Sequence, residues 1–186
     1  MSAPTLETSA DLVRLVEALG AGKRLKNYII PGLFSTLLAT PAVGGCVRLF
    51  EMTREQEYDI TPHDHRYSFQ CCVLSGTVDN RRYRTQATEY REMAGYVSLP
   101  YNPVTHALDE ERPTWMHGQF TDEQFSEGDW YSMSKDEYHS IRFSKGAKVL
   151  FIEGPNEKEE SACLLPYVNG RICNTFIWRD WMMEAA

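Results

Sequence analysis

The sequence predicts a mostly β domain, built as a sandwich or closed barrel of short strands. Apolar or alternating stretches recur along its middle, and turn pairs such as Ser75-Gly76 and Gly128-Asp129 separate them. At 186 residues the chain is long enough for one sizeable core and short for two. We therefore expect one domain, with a barrel over residues 46–186 and a helical segment over residues 1–45 packed on it.

The N-terminal segment is expected to be helical. Apolar residues recur at helical spacing over residues 11–19, and Gly20 ends that pattern. A second helical piece is expected over residues 23–30, before Pro31 and Gly32. Residues 34–38 are mostly apolar, and their pattern fits a helix and a strand equally well.

From residue 46 onward the pattern indicates strands. The expected strands cover residues 47–52, 69–74, 77–85, 130–133, 138–143 and 149–153, with two more between 89 and 99. Residues 100–127 are rich in Pro, Asp, Glu and Thr and are expected to form a long excursion. The C-terminal extension is expected to contain a strand near residues 164–168, a turn at Asn169-Gly170, and a closing helix with Trp178 and Trp181.

Composition and charge argue against several classes of protein. A net charge of −7 argues against a nucleic-acid binder with a basic surface. The longest apolar runs fall short of a membrane span, and the first residues lack the pattern of a signal peptide. Five cysteines, an odd number without a CxxC pair, favour a reduced, cytoplasmic protein.

The candidate chemistry is concentrated around two histidines. His63 and His65 flank Asp64, so on an extended strand both imidazoles point to one face. Two neutral imidazoles on one face are half of a site for Fe, Zn, Ni or Cu. His139 begins an expected strand and is the candidate third ligand. The remaining histidines are expected to face solvent within the excursion, unless a lid contributes a ligand: His106 and His117.

The spacing around this pair resembles the first motif of the cupin superfamily. That motif reads G-x5-H-x-H-x3,4-E-x6-G, and His63, His65 and Gly76 match it. Phe69 stands at the glutamate position and Glu57 at the first glycine.

A second cupin motif, G-x5-P-x-G-x2-H-x3-N, is matched in part. Gly128 and His139 have the family spacing. The residues at the proline, second glycine and asparagine positions differ: Ser134, Asp136 and Phe143. The resemblance covers residues 46–154 and implies the cupin double-stranded β-helix, a jelly-roll barrel.

The resemblance also implies a metal site. With Phe69 where a carboxylate ligand is usual, it implies a face of His63, His65 and His139, similar to the three-histidine iron centre of thiol dioxygenases. No tyrosine after His139 matches the cysteine–tyrosine pair of that branch. Gln70 takes the glutamate position under the longer spacing, but alternation turns it away unless a bulge intervenes. The implied cofactor is a divalent metal, Fe(II) first, with Zn, Ni or Mn as alternatives.

Arginines and tyrosines near the ligands are further candidates. An arginine can hold a carboxylate or phosphate through paired hydrogen bonds, and a tyrosine can donate a proton. The expected catalytic residues are Tyr131, Tyr138 and Arg66, although Arg66 could equally pair with Asp64 or Glu137 on the surface. The expected substrate-binding residues are Arg48, Tyr67, Gln70 and Arg142.

Three functions remain open from the sequence. The first is a non-haem iron dioxygenase that acts on a small molecule, either a thiol or another anionic substrate. The second is a cupin that binds a ligand without catalysis, and the third is a metal-assisted isomerase or lyase with a tyrosine base. A homodimer formed through sheet edges or the aromatic tail is expected, without membrane or nucleic-acid partners.

Overall fold

A computed structural model of the chain describes residues 22–42, 44–102, 105, 107–173 and 184–185. These residues form strands and one turn of 3-10 helix, without an α-helix among them. No helix in this described part is long and apolar enough to cross a membrane. The strands are β1 Arg24–Lys26, β2 Leu33–Ala39, β3 Val47–Met52, β4 Phe69–Ser75, β5 Thr77–Ala87, β6 Tyr96–Asn102, β7 Ala107–Leu108, β8 Thr114–Ser126, β9 Trp130–Met133, β10 Tyr138–Phe143, β11 Lys148–Glu153, β12 Ser161–Val168, β13 Arg171–Ile172 and β14 Glu184–Ala185, and the 3-10 turn is Arg91–Met93.

The strands form two antiparallel sheets that curl around one core. The first has the order β14-β1-β2-β3-β11-β4-β9, and the second β10-β5-β8-β6-β12-β13, with β7 beside β6. Along β4, Phe69, Cys71 and Val73 point into the main core, whereas Gln70 between them is exposed. This period-two alternation places one apolar face of each sheet against the other. The expectation of a mostly β barrel is confirmed.

The segment that carries the histidine pair links two strands of the second sheet. His63 and His139 exchange two backbone hydrogen bonds, each of 2.9 Å. On its other side the segment pairs with β12, where the Asp64 amide donates to the Ala162 carbonyl at 3.0 Å. Because this segment lies between β10 and β12, the backbone itself brings His63 opposite His139.

Asp64 anchors this segment from the side opposite the histidines. Its side chain is 5% exposed, and its two oxygens accept hydrogen bonds from the Ala162 amide at 2.6 Å and from Lys158 Nζ at 2.5 Å. Burial raises the pKa of Asp64, and Lys158 opposes that shift. Because the side chain of Asp64 points away from the core, alternation along the extended segment directs His63 and His65 toward the core.

The helical expectation for residues 23–30 is wrong. Residues 24–26 are β1, and the following turn contains Asn27 and Ile29 at φ values of 53° and 68°, which a helix does not allow. Residues 34–38 belong to β2. The helices expected over residues 11–19 and around Trp178 and Trp181 lie outside the described residues.

The excursion expected over residues 100–127 is also wrong. Nearly half of it is β8, a long strand whose residues 116–126 pair with the whole of β5. Most β8 side chains are exposed, so polar composition there reflects a solvated strand rather than a loop. His117 lies exposed on β8 as expected, and His106 lies outside the described residues. In place of two short strands between residues 89 and 99, the chain has the 3-10 turn and β6.

Candidate metal centre

Three histidines converge at one end of the core. One ring nitrogen from each of His63, His65 and His139 lies within 4.8 Å of the others. The Nε2 atoms of His65 and His139 are 3.0 Å apart. Two nitrogen ligands at right angles, each about 2.1 Å from a metal ion, are separated by roughly 3.0 Å. The spacing therefore fits ligands of one ion.

Hydrogen bonds on the outer ring nitrogens orient two of these rings. His63 Nδ1 lies 2.8 Å from the Thr61 carbonyl oxygen, which only accepts, so Nδ1 carries the proton. His139 Nδ1 lies 2.7 Å from Asn80 Oδ1, while Asn80 Nδ2 donates to Glu123 Oε2 at 3.1 Å. His139 Nδ1 is therefore also the donor. Both rings present the lone pair of Nε2 to the interior.

Burial keeps the three imidazoles neutral. It lowers the pKa of His63 and holds the pKa values of His65 and His139 well below their usual range. Repulsion from His63 lowers the latter two further. Neutral imidazole is the form that binds a metal ion.

Phe69 occupies the place at which the cupin motif has its glutamate. Its ring centroid lies 4.7 Å from that of His65 and 5.6 Å from that of His139, and the side chain is buried. Gln70 faces the outer surface of β4 and does not approach the cluster, so the bulge that would bring it in is absent at this position. Within the described chain, no Asp, Glu or Cys joins the three histidines as a ligand.

A cavity of about 60 Å³ lies beside the cluster. Of the candidate residues, five line it: His63, His65, His139, Tyr67 and Tyr131. The remaining lining is mostly aromatic and aliphatic. The cluster thus opens onto a small apolar space.

Tyr131 and Cys71 form a pair inside this cavity. They are directly opposite each other on β9 and β4, and the Tyr131 hydroxyl donates to the Cys71 sulfur. Burial raises the pKa of Tyr131 well above its usual value and that of Cys71 to about 12, which Tyr131 partly opposes. Cys71 is not among the site residues expected from the sequence. Its alternation with Phe69 on β4 was the signal that it shares the face of the site.

Tyr67 lies between the cluster and a second polar group. Its ring centroid is 5.3 Å from that of His65, and its hydroxyl donates to Glu153. Glu153 Oε2 also accepts from Cys46 Sγ at 3.1 Å, and Arg48 Nε donates to the same sulfur at 3.0 Å. Arg48 is therefore held behind Tyr67 and does not line the cavity.

Tyr138 and Arg142 are not brought to the site. Tyr138 faces away from the neighbouring His139, and its hydroxyl lies 2.7 Å from Ser98 Oγ. Arg142 is exposed, and its Nε donates to Asp59 Oδ1 at 2.8 Å. Neither residue lines the cavity.

Arg66 takes neither of its expected places. It does not line the cavity, and the two carboxylates proposed as surface partners are bound elsewhere. Asp64 pairs with Lys158 at 2.5 Å, and Glu137 pairs with Arg82 at 2.6 Å.

No family model matches this sequence, and no characterised protein matches it at the sequence level. Among solved structures it is similar to Streptomyces albus HEPD with 2-hydroxyethylphosphonate and Fe(II) bound, at 14% identity over 74% of this chain and 24% of that chain, with a TM-score of 0.45. Drosophila melanogaster CENP-C bound to CAL1 is 11% identical over 78% of this chain and 95% of that chain, with a TM-score of 0.44. Lactobacillus farciminis oxalate decarboxylase in a formate complex is 12% identical over 75% and 35%, with a TM-score of 0.41.

These similarities do not select a function. The similar structures include enzymes and a protein bound to another protein. The chain spans about a quarter of the length of HEPD. This chain's own architecture agrees with what the resemblance to cupins implies, since it combines antiparallel sheets with a cluster of the three motif histidines. The candidate site therefore stands on its own geometry.

That geometry fits a metal ion with open coordination positions. Three neutral nitrogen donors suit iron, zinc, nickel or copper. The hydrogen bonds on the outer nitrogens of His63 and His139 fix two of the donors in place. Three tyrosines (Tyr28, Tyr67 and Tyr131) and the thiol of Cys71 are the other polar side chains that line the adjoining cavity.

Proposed function

We propose that this chain is a dioxygenase that holds iron(II) on His63, His65 and His139 and acts on a small thiol or another substrate that binds as an anion. One observation carries the proposal: three neutral imidazoles converge, and no carboxylate of the described residues joins them. Such a ligand set leaves the charge of a divalent ion uncompensated, which favours an anionic donor atom such as a thiolate. Zinc, nickel and manganese are the alternative metals.

The residues around the cluster have separate roles in this proposal. Bound iron(II) would supply open coordination positions and the redox chemistry that dioxygen requires. Thr61 and Asn80 keep the protons of two ligands on Nδ1, away from the site. The buried ring of Phe69 excludes water, and Tyr131 holds a proton on its hydroxyl inside the cavity. Conversion of RSH and O₂ into RSO₂H balances without an external reductant.

Metal analysis tests the site first. The wild type and the variants His63→Ala, His65→Ala and His139→Ala are reconstituted anaerobically with iron(II) and freed of excess metal. His117→Ala is the matched control, because His117 lies exposed on β8. We expect near-stoichiometric iron in the wild type and the control, and its loss in the other three. A wild type that binds no metal would contradict the proposal and leave a non-catalytic binding barrel.

Oxygen uptake tests the reaction. Iron-loaded protein is mixed with small thiols, dioxygen is followed with an electrode, and sulfinate is measured by mass spectrometry. We expect one sulfinate for each dioxygen consumed. Tight zinc or nickel binding without uptake by the iron form would instead indicate an isomerase or lyase, with Tyr131 as its base.

A further inference from the structure

The described lining of the cavity contains no Asp, Glu, Lys or Arg. Its polar atoms belong to the three histidines, to Cys71 and to the hydroxyls of Tyr28, Tyr67 and Tyr131. A carboxylate, phosphate or ammonium group that entered would lose its water without gaining a protein counter-charge. Transfer of an unpaired charge into such surroundings is strongly unfavourable.

The arginines expected to hold a substrate anion are engaged elsewhere. Arg48 donates to Cys46 at 3.0 Å and lies close to the carboxylate of Glu153. Arg142 pairs with Asp59 on the surface. A carboxylate or phosphate on the substrate would therefore meet neither guanidinium inside the cavity.

The cavity is also small. Its volume is about 60 Å³, whereas sites for drug-sized ligands measure roughly 300–1,000 Å³. The cavity is therefore several times smaller than a site for a drug-sized ligand and suits a small group.

A strained turn borders this cavity. Tyr28 and Ile29 are partly exposed members of the lining, and the Ile30 amide donates to the Tyr28 carbonyl at 2.8 Å, which closes a three-residue turn around Ile29. The φ of Ile29 is 68°, a value that a β-branched residue rarely adopts. Asn27 Oδ1 braces the turn by accepting from the Gly32 amide at 2.9 Å. Strain of this kind persists where the surroundings impose it, and it clusters at ligand clamps and switch regions.

We propose that the cavity admits only uncharged, largely apolar groups, and that the side chain of Ile29 limits their size by covering the entrance. What this proposal says of the substrate rests on the proposed function: the substrate thiol would carry no carboxylate or phosphate, and its only charge would be on the sulfur. What the proposal says of the cavity does not depend on that function and applies to the metal-free chain. The test therefore uses metal-free protein.

Cys71 reports on entry into the cavity, because it lines the cavity and is 2% exposed. Its thiolate attacks a methanethiosulfonate, so that a disulfide forms with the transferred sulfur and methanesulfinate leaves. Three reagents differ in size and charge: the methyl reagent is small and neutral, the benzyl reagent is larger and neutral, and the 2-sulfonatoethyl reagent is anionic. Exposed Cys173 is the internal reference, and peptide mass spectrometry gives the rate at each cysteine. The ratio of the two rates removes differences in intrinsic reactivity between reagents.

In the wild type we expect the methyl reagent to label Cys71, although slowly, because burial raises the pKa of this thiol to about 12 and little of it is thiolate. After normalisation to Cys173, the anionic and the benzyl reagents should each be slower by about tenfold or more. Ile29→Ala should raise the benzyl rate by about tenfold while the anionic reagent stays excluded, and Ile29→Val should give a smaller rise. Ile30→Ala is the matched control, because Ile30 is the adjacent isoleucine and does not line the cavity. It should leave every ratio unchanged.

Each contrary result overturns a stated part of the proposal. Equal normalised labelling by the anionic and methyl reagents overturns the exclusion of charge. An equal rise in Ile30→Ala, or no rise in either Ile29 variant, overturns the role of Ile29. Absence of methyl labelling in the wild type and both Ile29 variants, even with excess reagent at a pH raised to populate the Cys71 thiolate, overturns entry itself. None of these results depends on iron, so failure of this inference and failure of the dioxygenase proposal are distinguishable.

Discussion

Replacement of Asn80 with alanine should weaken metal binding although Asn80 is not a ligand. Its side chain is 1% exposed, and its Oδ1 lies 2.7 Å from His139 Nδ1. Its Nδ2 donates to Glu123 at 3.1 Å, so the amide has one orientation. Without this partner the His139 proton can move to Nε2, the nitrogen that must face the metal.

Two effects set the size of the change. A buried N–H donor left without its partner costs about 1–3 kcal/mol, and this loss should appear in the free energy of unfolding of the metal-free protein. Loss of the hydrogen bond that orients a ligand lowers metal affinity by roughly 10–100-fold. Both changes follow from one side chain, but separate measurements report them.

Chelator competition gives the affinity, and urea unfolding of metal-free protein gives the stability. Asp79→Ala is the matched control, because Asp79 adjoins Asn80 and accepts from Gln124 Nε2 at 2.7 Å on the exposed face. It should change the free energy of unfolding by no more than about 0.5 kcal/mol and leave the affinity unchanged. If Asn80→Ala binds metal as tightly as the wild type, the proposed orientation of His139 is refuted, whatever happens to stability.

Three further variants test the site and its supports. Phe69→Glu should raise metal affinity and suppress oxygen uptake by adding a carboxylate ligand, and an unchanged affinity in chelator competition would show that position 69 does not face the metal. Lys158→Met should lower the free energy of unfolding by about 3 kcal/mol in urea, because it leaves Asp64 buried without its cation; a loss below about 1 kcal/mol would contradict that role. Gly76→Ala should destabilise the metal-free protein by about 2 kcal/mol or more in the same assay, because φ is 73° and the added Cβ would lie 2.9 Å from a backbone carbon; wild-type stability would contradict the clash.

The inward face of the site could be predicted from alternation along the strands. His63 and His65 are two residues apart, so they share a face once the segment is extended. The same rule turns Tyr138 and Arg66 away, because each is adjacent to a ligand in the sequence. Alternation therefore excludes both residues from the site, because a residue next to a ligand in an extended segment faces the opposite side.

Partners across the barrel could not be predicted in the same way. Asn80 meets His139, and Tyr131 meets Cys71, only because of the register between neighbouring strands. Register depends on turns and bulges along the whole sheet, which no local pattern fixes. The polar β8 was assigned to a loop for a related reason: a strand that is solvated along most of its length lacks an apolar alternation to identify it.

The distribution of charge around the cavity determines which groups would be attracted to a metal ion held by three neutral ligands. Charged side chains stand one layer outside the lining and are paired with each other, as Asp64 is with Lys158 and Glu123 is with Arg82. These pairs orient the ligand segments while their opposite charges largely cancel at the cavity. With Phe69 in place of a carboxylate, a bound divalent ion would be the uncompensated charge inside the described lining. An anionic donor atom would then be drawn to the metal position, and the rest of the substrate would be selected by size and lack of charge.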